Sequence, residues 1–245
     1  MIRIAQVYRP EGPGTSSFIN LEGTCNNELP QYVAGFNGVS GSNIIILNPS
    51  FSSLANGFTI SVWIEPTANT FGAIFSTNCF GFRINPGNPY GVAFAGPGGG
   101  CAPNLNAGST SSMLNTWSFL TVVGGPSTQF KVYDDGVLVY SPVSSSFAMP
   151  NSIVAVGMGL TNLPTATNAY TGGMADVQRY NASLSANEVT ALYQEGIGGV
   201  PLNLNNLVGW WPLNGNANDY SGNLNNGAPV NVVYTSSWTS GYTAP

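Results

Sequence analysis

Short apolar runs recur along this chain, separated by clusters of Gly, Pro, Asn and Ser, and apolar positions inside the runs tend to alternate. A period of two marks a strand with one face against a core. Phe58-Thr-Ile-Ser-Val-Trp-Ile64 shows it best, with Phe58, Ile60, Val62 and Ile64 on one face and Thr59, Ser61 and Trp63 on the other. Strands are also predicted over residues 2–8, 32–36, 44–47, 72–75, 80–84, 91–95, 117–123, 153–158, 173–180, 207–213 and 230–234. A turn is expected at 85–89 and an aperiodic loop over 97–112. Residues 130–140 read FKVYDDGVLVY, where Asp135-Gly136 supplies the positive φ of a type I′ hairpin turn between two β-prone runs. One helix is expected near 185–195. Ser185-Ala-Asn-Glu188 is a capping box, Val189, Leu192 and Tyr193 then share a face, and Gly196 is placed to end the helix. Many short strands without alternating helices predict an all-β, antiparallel two-sheet sandwich. No long linker divides the chain, so 1–30 is read as an N-terminal arm with a first strand and 31–245 as one domain.

Composition adds one unusual quantity. Charged residues make up 6% of the chain, against roughly 25% in an average soluble protein. The polar surface must therefore be Asn, Ser, Thr and Gly, hydrated through neutral hydrogen bonds. With ten acidic and five basic groups, there are few stabilising charges for acid to remove. Tolerance of acidic surroundings is one expectation from this; an ordinary secreted β-protein surface is the other. A net charge of −5 and a single lysine, Lys131, exclude a nucleic-acid binder. No apolar run is long enough for a membrane-spanning helix. The opening MIRIAQVYR lacks the apolar core of a secretory signal, which leaves an added Met or another exit route, such as inside a virion. Three cysteines fit one disulfide and a spare, or none; Cys79 and Cys101 flank a predicted hairpin and are the favoured pair. The chain has no histidine, which excludes Cys/His zinc sites and the common Ser/His and Cys/His nucleophiles.

Four segments carry a family resemblance: GFTISVWIEPT from Gly57, TWSFLTVVG from Thr116, FKVYDDGVLVY from Phe130 and GGMADVQRYNASLSANEVTALYQEG from Gly172. In this order they resemble the laminin-G-like, concanavalin A-like jelly roll, over most of 57–196. The resemblance implies two antiparallel sheets of about fourteen strands in all. A fifth segment, LVGWWPLNGNANDYSGN from Leu207, is similar to the motif that opens such a domain, yet here it closes the chain. FNGVSGSNI from Phe36 matches the family's second strand and loop. Segment 206–245 is therefore an opening strand permuted within one chain, or one donated to a neighbour; residues 224–245 are too few for a second repeat. Head-to-tail donation would link copies of the chain into filaments.

Glycan hydrolysis on such a fold needs two carboxylates about 5–10 Å apart across a cleft. The strand motif Glu-x-Asp-x-x-Glu is absent, Asp134 and Asp135 belong to a hairpin turn, Glu188 caps the helix and Glu195 lies in its last turn. The expectation is no enzyme. The resemblance implies Ca²⁺ held by loop carboxylates, with Asp176 and Asp219 the matching acids. Against it, the loop at 37–43 has no carboxylate, and the two aspartates can instead orient their own loops. Sugars favour exposed aromatic faces edged with amides. Of Trp63, Trp210, Trp211 and Trp238 most are expected in the core; Trp238 and Tyr242, in the polar stretch TSSWTSGY, are the glycan-binding candidates. Asn181-Ala-Ser183 is the single unblocked N-glycosylation sequon.

These readings predict a structural or adhesion subunit that is extracellular, on a cell surface or on a virion exterior. It would assemble with copies of itself or other surface proteins, and contact glycans. The alternative is a monomeric lectin-like module with a weak Ca²⁺ site.

Overall fold

A computed structural model describes residues 29–39, 41–47, 49–50, 57–70, 72–77, 81–85, 91–95, 105–108, 113–125, 128–141, 155–159 and 169–245. Its strands are β1 (Val33–Asn37), β2 (Asn43–Leu47), β3 (Phe58–Pro66), β4 (Gly72–Thr77), β5 (Gly81–Asn85), β6 (Gly91–Ala95), β7 (Leu105–Gly108) and β8 (Ser118–Gly125). They continue with β9 (Thr128–Asp134), β10 (Val137–Tyr140), β11 (Ala155–Met158), β12 (Thr171–Tyr180), β13 (Leu207–Trp211), β14 (Ala228–Val230) and β15 (Val233–Thr235). One helix, α1 (Ala186–Gln194), follows β12, and no helix among the described residues is long and apolar enough to cross a membrane. The front sheet runs β10-β9-β8-β3-β12-β1-β15, with β13 also paired to β12, and the back sheet runs β14-β2-β11-β4-β5-β6-β7. All these pairings are antiparallel, as the alternating pattern predicts.

Phe58, Ile60, Val62 and Ile64 of β3 face the back sheet, where Ile44, Ile46, Phe75, Phe82 and Met158 complete the main core. The other face of the front sheet is also covered. Trp63, Phe119, Val123, Tyr133 and Tyr180 pack under Val189 and Leu192 of α1 and under Trp238 near the C-terminus. Two-sided burial explains why β3 keeps polar residues out of water: Thr59 Oγ1 donates to the Ala182 carbonyl (2.8 Å) and accepts from the Leu184 amide (3.0 Å), fixing the approach to α1.

The local signals with the clearest chemistry correspond to observed geometry. Asp135 (φ 49°) and Gly136 (φ 76°) form the two-residue turn between β9 and β10, where Asp134 pairs with Val137. Ser185 accepts from the Glu188 amide at 3.3 Å while Glu188 accepts from the Ser185 amide at 2.8 Å, and Gly196 (φ 72°) follows the helix. Two expectations are corrected. The loop predicted over 97–112 contains β7, four residues whose pairing comes from the edge of β6 and not from any periodicity of their own. The strand predicted over 230–234 is two strands, because Asn231 (φ 49°) turns the chain from β2 of the back sheet to β1 of the front sheet. The predicted strand at 2–8 and Cys25, Cys79 and Cys101 lie outside the described residues.

The feature that positions the candidate site is a split along one side of β12. Residues 171–174 of β12 pair with β1, and residues 177–180 pair with β13. β13 and β1 thus lie end to end, and their chains part at Asp176. There Asp176 and Val177 together oppose Val62 in a β-bulge, with Asp176 in the left-handed region (φ 49°).

Candidate functional site

Where β13 ends, residues 212–227 form a loop with six asparagines among sixteen residues. Its hub is Asp219, 7% exposed. Oδ1 accepts from the Trp210 and Ser221 amides, both at 2.9 Å, and Oδ2 accepts from the Asn225 amide at 2.9 Å. Asn225 in turn donates to the Val208 carbonyl (2.9 Å) and accepts from the Ser50 amide (2.7 Å), while Trp211 Nε1 donates to the Asn225 carbonyl (2.8 Å). A loop without regular structure is held rigid in this way by side-chain to backbone bonds.

Asp176 grips the same strand from the other side. Its Oδ1 accepts from Trp210 Nε1 and its Oδ2 from Gln178 Nε2, both at 2.8 Å, and its amide donates to the Pro212 carbonyl at 3.1 Å. Burial pushes its carboxyl up from 3.8 to about 7, and the bonds from Trp210 and Gln178 oppose that rise. The structure therefore brings the two predicted acids together, on either side of Trp210. As placed they do not fit a calcium ion. Calcium takes about six to eight oxygen ligands, whereas here N–H donors already point at all four carboxylate oxygens. No group of three or more His, Cys, Asp or Glu converges among the described residues.

The other candidates stand elsewhere. Trp238, expected to be exposed, is 3% exposed, which is a correction. Its polar sequence neighbours face water while its ring inserts edge-on between Trp117 (5.8 Å) and Tyr242 (5.8 Å). Trp238 Nε1 donates to the Pro30 carbonyl at 3.1 Å, and its own carbonyl accepts from Trp117 Nε1 at 2.9 Å. Tyr242 is half-buried against Trp63, and its hydroxyl accepts from the Ile197 amide at 3.3 Å. Asn181 is exposed in the bend after β12. Asp135 Oδ1 accepts from the Phe119 amide at 2.8 Å, so this acid serves its hairpin.

Sequence reading missed two tyrosines. Tyr32, just before β1, gives its amide to Asn214 Oδ1 at 2.9 Å. Tyr220 sits edge-on to Trp210, and its hydroxyl accepts from Asn216 Nδ2 at 3.3 Å. Both rings are half-buried. Nothing local marks Tyr32, because its partner is 182 residues away.

A profile of the concanavalin A-like lectin/glucanases superfamily matches residues 39–190. Among solved structures, a heptameric SAP-like pentraxin from Limulus polyphemus is 13% identical, with a TM-score of 0.61 over 71% of this chain and 86% of that one. A putative carbohydrate binding protein from Bacteroides ovatus is 17% identical, with a TM-score of 0.63 over 84% of this chain; the match spans 60% of that protein's length. Domain 4 of AbnA, an extracellular arabinanase from Geobacillus stearothermophilus solved with arabinotriose, is 19% identical, with a TM-score of 0.52 over 66% of this chain and 76% of that one. At these identities the likeness is one of fold. No curated protein sequence matches.

Proposed function

We propose that this chain, which belongs to the concanavalin A-like lectin/glucanases superfamily, is a non-enzymatic carbohydrate-binding module acting in adhesion on the outside of a cell or virion. The observation that carries the reading is a division of labour among polar groups. Asp135, Asp176, Asp219 and Glu188 direct their oxygens to hydrogen bonds within the protein, whereas the rigid loop after β13 exposes Asn218, Asn223 and Asn226 to solvent. Hydrolysis needs two carboxylates free to face a substrate; sugar binding needs amides, aromatic rings and a preorganised surface. The fold is also that of a putative carbohydrate binding protein and of a domain solved with arabinotriose. The test is a glycan panel probed with the purified chain. Saturable binding without cleavage is expected; release of reducing sugar from any panel member would overturn the non-enzymatic reading.

Assembly with copies of the chain belongs to the same proposal. Among the described residues the front sheet ends in β10 on one side and β15 on the other. Val137 is 65% exposed on β10 and Val233 69% exposed on β15, and edge strands with apolar side chains and no charge invite further pairing. Light scattering over a hundredfold concentration range should show mass above that of one chain. A monomer throughout would contradict assembly and leave the lectin-like module standing alone.

A further inference from the structure

We propose that the front sheet binds one buried water molecule beneath α1, seated over Ser61 and bonded to Ser61, Thr121 and Gln178. The site is interior and stands apart from the carbohydrate-binding reading, so neither depends on the other.

Three observations lead there. First, two buried hydroxyls have unused bonding capacity. Ser61 and Thr121 are each 0% exposed, and among the described residues neither Ser61 Oγ nor Thr121 Oγ1 has a hydrogen-bond partner. Buried polar atoms are otherwise almost always bonded, to protein or to ordered water. The other hydroxyl on this face of β3, Thr59 Oγ1, follows that rule through Ala182 and Leu184.

Second, register brings the two together. Ser61 of β3 lies directly opposite Thr121 of β8 on one side and Gln178 of β12 on the other. Residues paired directly across antiparallel strands share a face, with Cβ atoms about 4.5–5.5 Å apart. Alternation says which face: Ile60, Val62, Leu120, Val122 and Val177, chain neighbours of these three, fill the core between the sheets. Ser61, Thr121 and Gln178 therefore point the other way, with Trp63, Phe119 and Tyr180, which pack with Val189 and Leu192 of α1. Ser61 is the shortest of the three, while Trp63, Phe119, Tyr133 and Tyr180 are among the largest fully buried side chains. A short hydroxyl amid long rings leaves the space over Ser61 that a water needs.

Third, Gln178 supplies a further partner. Its Oε1 accepts from the Tyr180 hydroxyl at 2.6 Å, and its Nε2 donates one N–H to Asp176 Oδ2 at 2.8 Å. An amide nitrogen carries two N–H groups, so one is left for water. One bond from Gln178 and one with each hydroxyl make three, the usual number for a buried water. Through Gln178 the water joins β8 and β3 to the Asp176–Trp210 contact that holds β13.

The experiment is a crystal structure of the chain at a resolution that places ordered water, paired with NMR of magnetisation transfer from slowly exchanging water to the Ser61 and Thr121 amide protons. Wild type should show a single water within about 2.5–3.2 Å of Ser61 Oγ, Thr121 Oγ1 and Gln178 Nε2, and transfer to both amides. The double variant Ser61→Ala/Thr121→Val removes both hydroxyls and keeps the shape at 121. It should fold, because replacing both polar partners by apolar groups of the same shape is close to neutral, and it should lose the water and its transfer signal. No water density in wild type, or Ser61 Oγ bonded directly to Thr121 Oγ1, overturns the site. So does a transfer signal that survives in the double variant. Should the double variant not fold, the wild-type density decides alone.

Discussion

Asp219→Ala should lower the unfolding free energy by about 2–5 kcal/mol, from roughly 1–3 kcal/mol for each buried amide left without an acceptor. The substitution leaves the amides of Trp210, Ser221 and Asn225 without their acceptor, each having bonded it at 2.9 Å. Two of these amides are buried, so water does not freely replace the lost carboxylate. The loop would loosen, and with it the register of β13 on β12. Asp219→Asn is the informative control. Its carbonyl oxygen still accepts from Trp210 and Ser221, but its NH₂ meets the Asn225 N–H donor to donor, so a loss of roughly 1–2 kcal/mol is expected. Urea unfolding of the three proteins measures this directly. Equal midpoints for wild type and Asp219→Ala would show that the loop does not depend on its hub.

Acidification from pH 8 to pH 5 should stabilise the protein, against the usual direction for carboxylates. Asp176 titrates at about 7 when folded, raised from 3.8 by burial. The folded state therefore holds a proton that the unfolded state releases between those values. The resulting stability is complete below 3.8 and is lost as pH rises through 7. A shift of this size corresponds to at most roughly 4 kcal/mol. Glu65 and Asp135, also raised by burial, act in the same sense. Glu188, held below its ordinary value by the Ser185 amide and hydroxyl, acts in the opposite sense and loses its contribution as pH falls. Asp176→Asn removes the titration while keeping an oxygen for Trp210 Nε1, so its unfolding midpoint should vary much less between pH 5 and 8. Its NH₂ meets Gln178 Nε2 donor to donor, so a loss of roughly 1–2 kcal/mol is set against the relief of the buried charge at pH 8. An unchanged pH slope in Asp176→Asn would place the titrating group elsewhere. If the smaller slope is measured, acid tolerance, one of the two expectations from sparse charge, rests on Asp176.

The sequence was legible wherever a local rule decides the structure. Asp135-Gly136 could be read because a type I′ turn asks for positive φ at two successive residues, and Ser185 with Glu188 because a capping box is complete within four residues. The inner face of β3 followed from alternation alone. Contacts between distant segments were harder. Trp238 was misplaced because its Ser and Thr neighbours describe the exposed side of the segment, while its ring is held by Trp117 and the Pro30 carbonyl. Asp176 and Asp219 were singled out as a pair, but their shared partner, Trp210, was not, since no spacing reveals which backbone amides a carboxylate will meet. The break at Asn231 escaped for a related reason: a single left-handed residue inside an apolar run changes the sheet to which the chain belongs.

A carbohydrate-binding module whose carboxylates serve the fold should take up a glycan without altering it. Two-dimensional NMR of the labelled protein, titrated with an oligosaccharide that binds on the panel, tests this in a single experiment. Protein resonances should shift in one saturable set while the signals of the intact oligosaccharide persist. No shift at saturating sugar, or new reducing-end signals from a cleaved sugar, would contradict it.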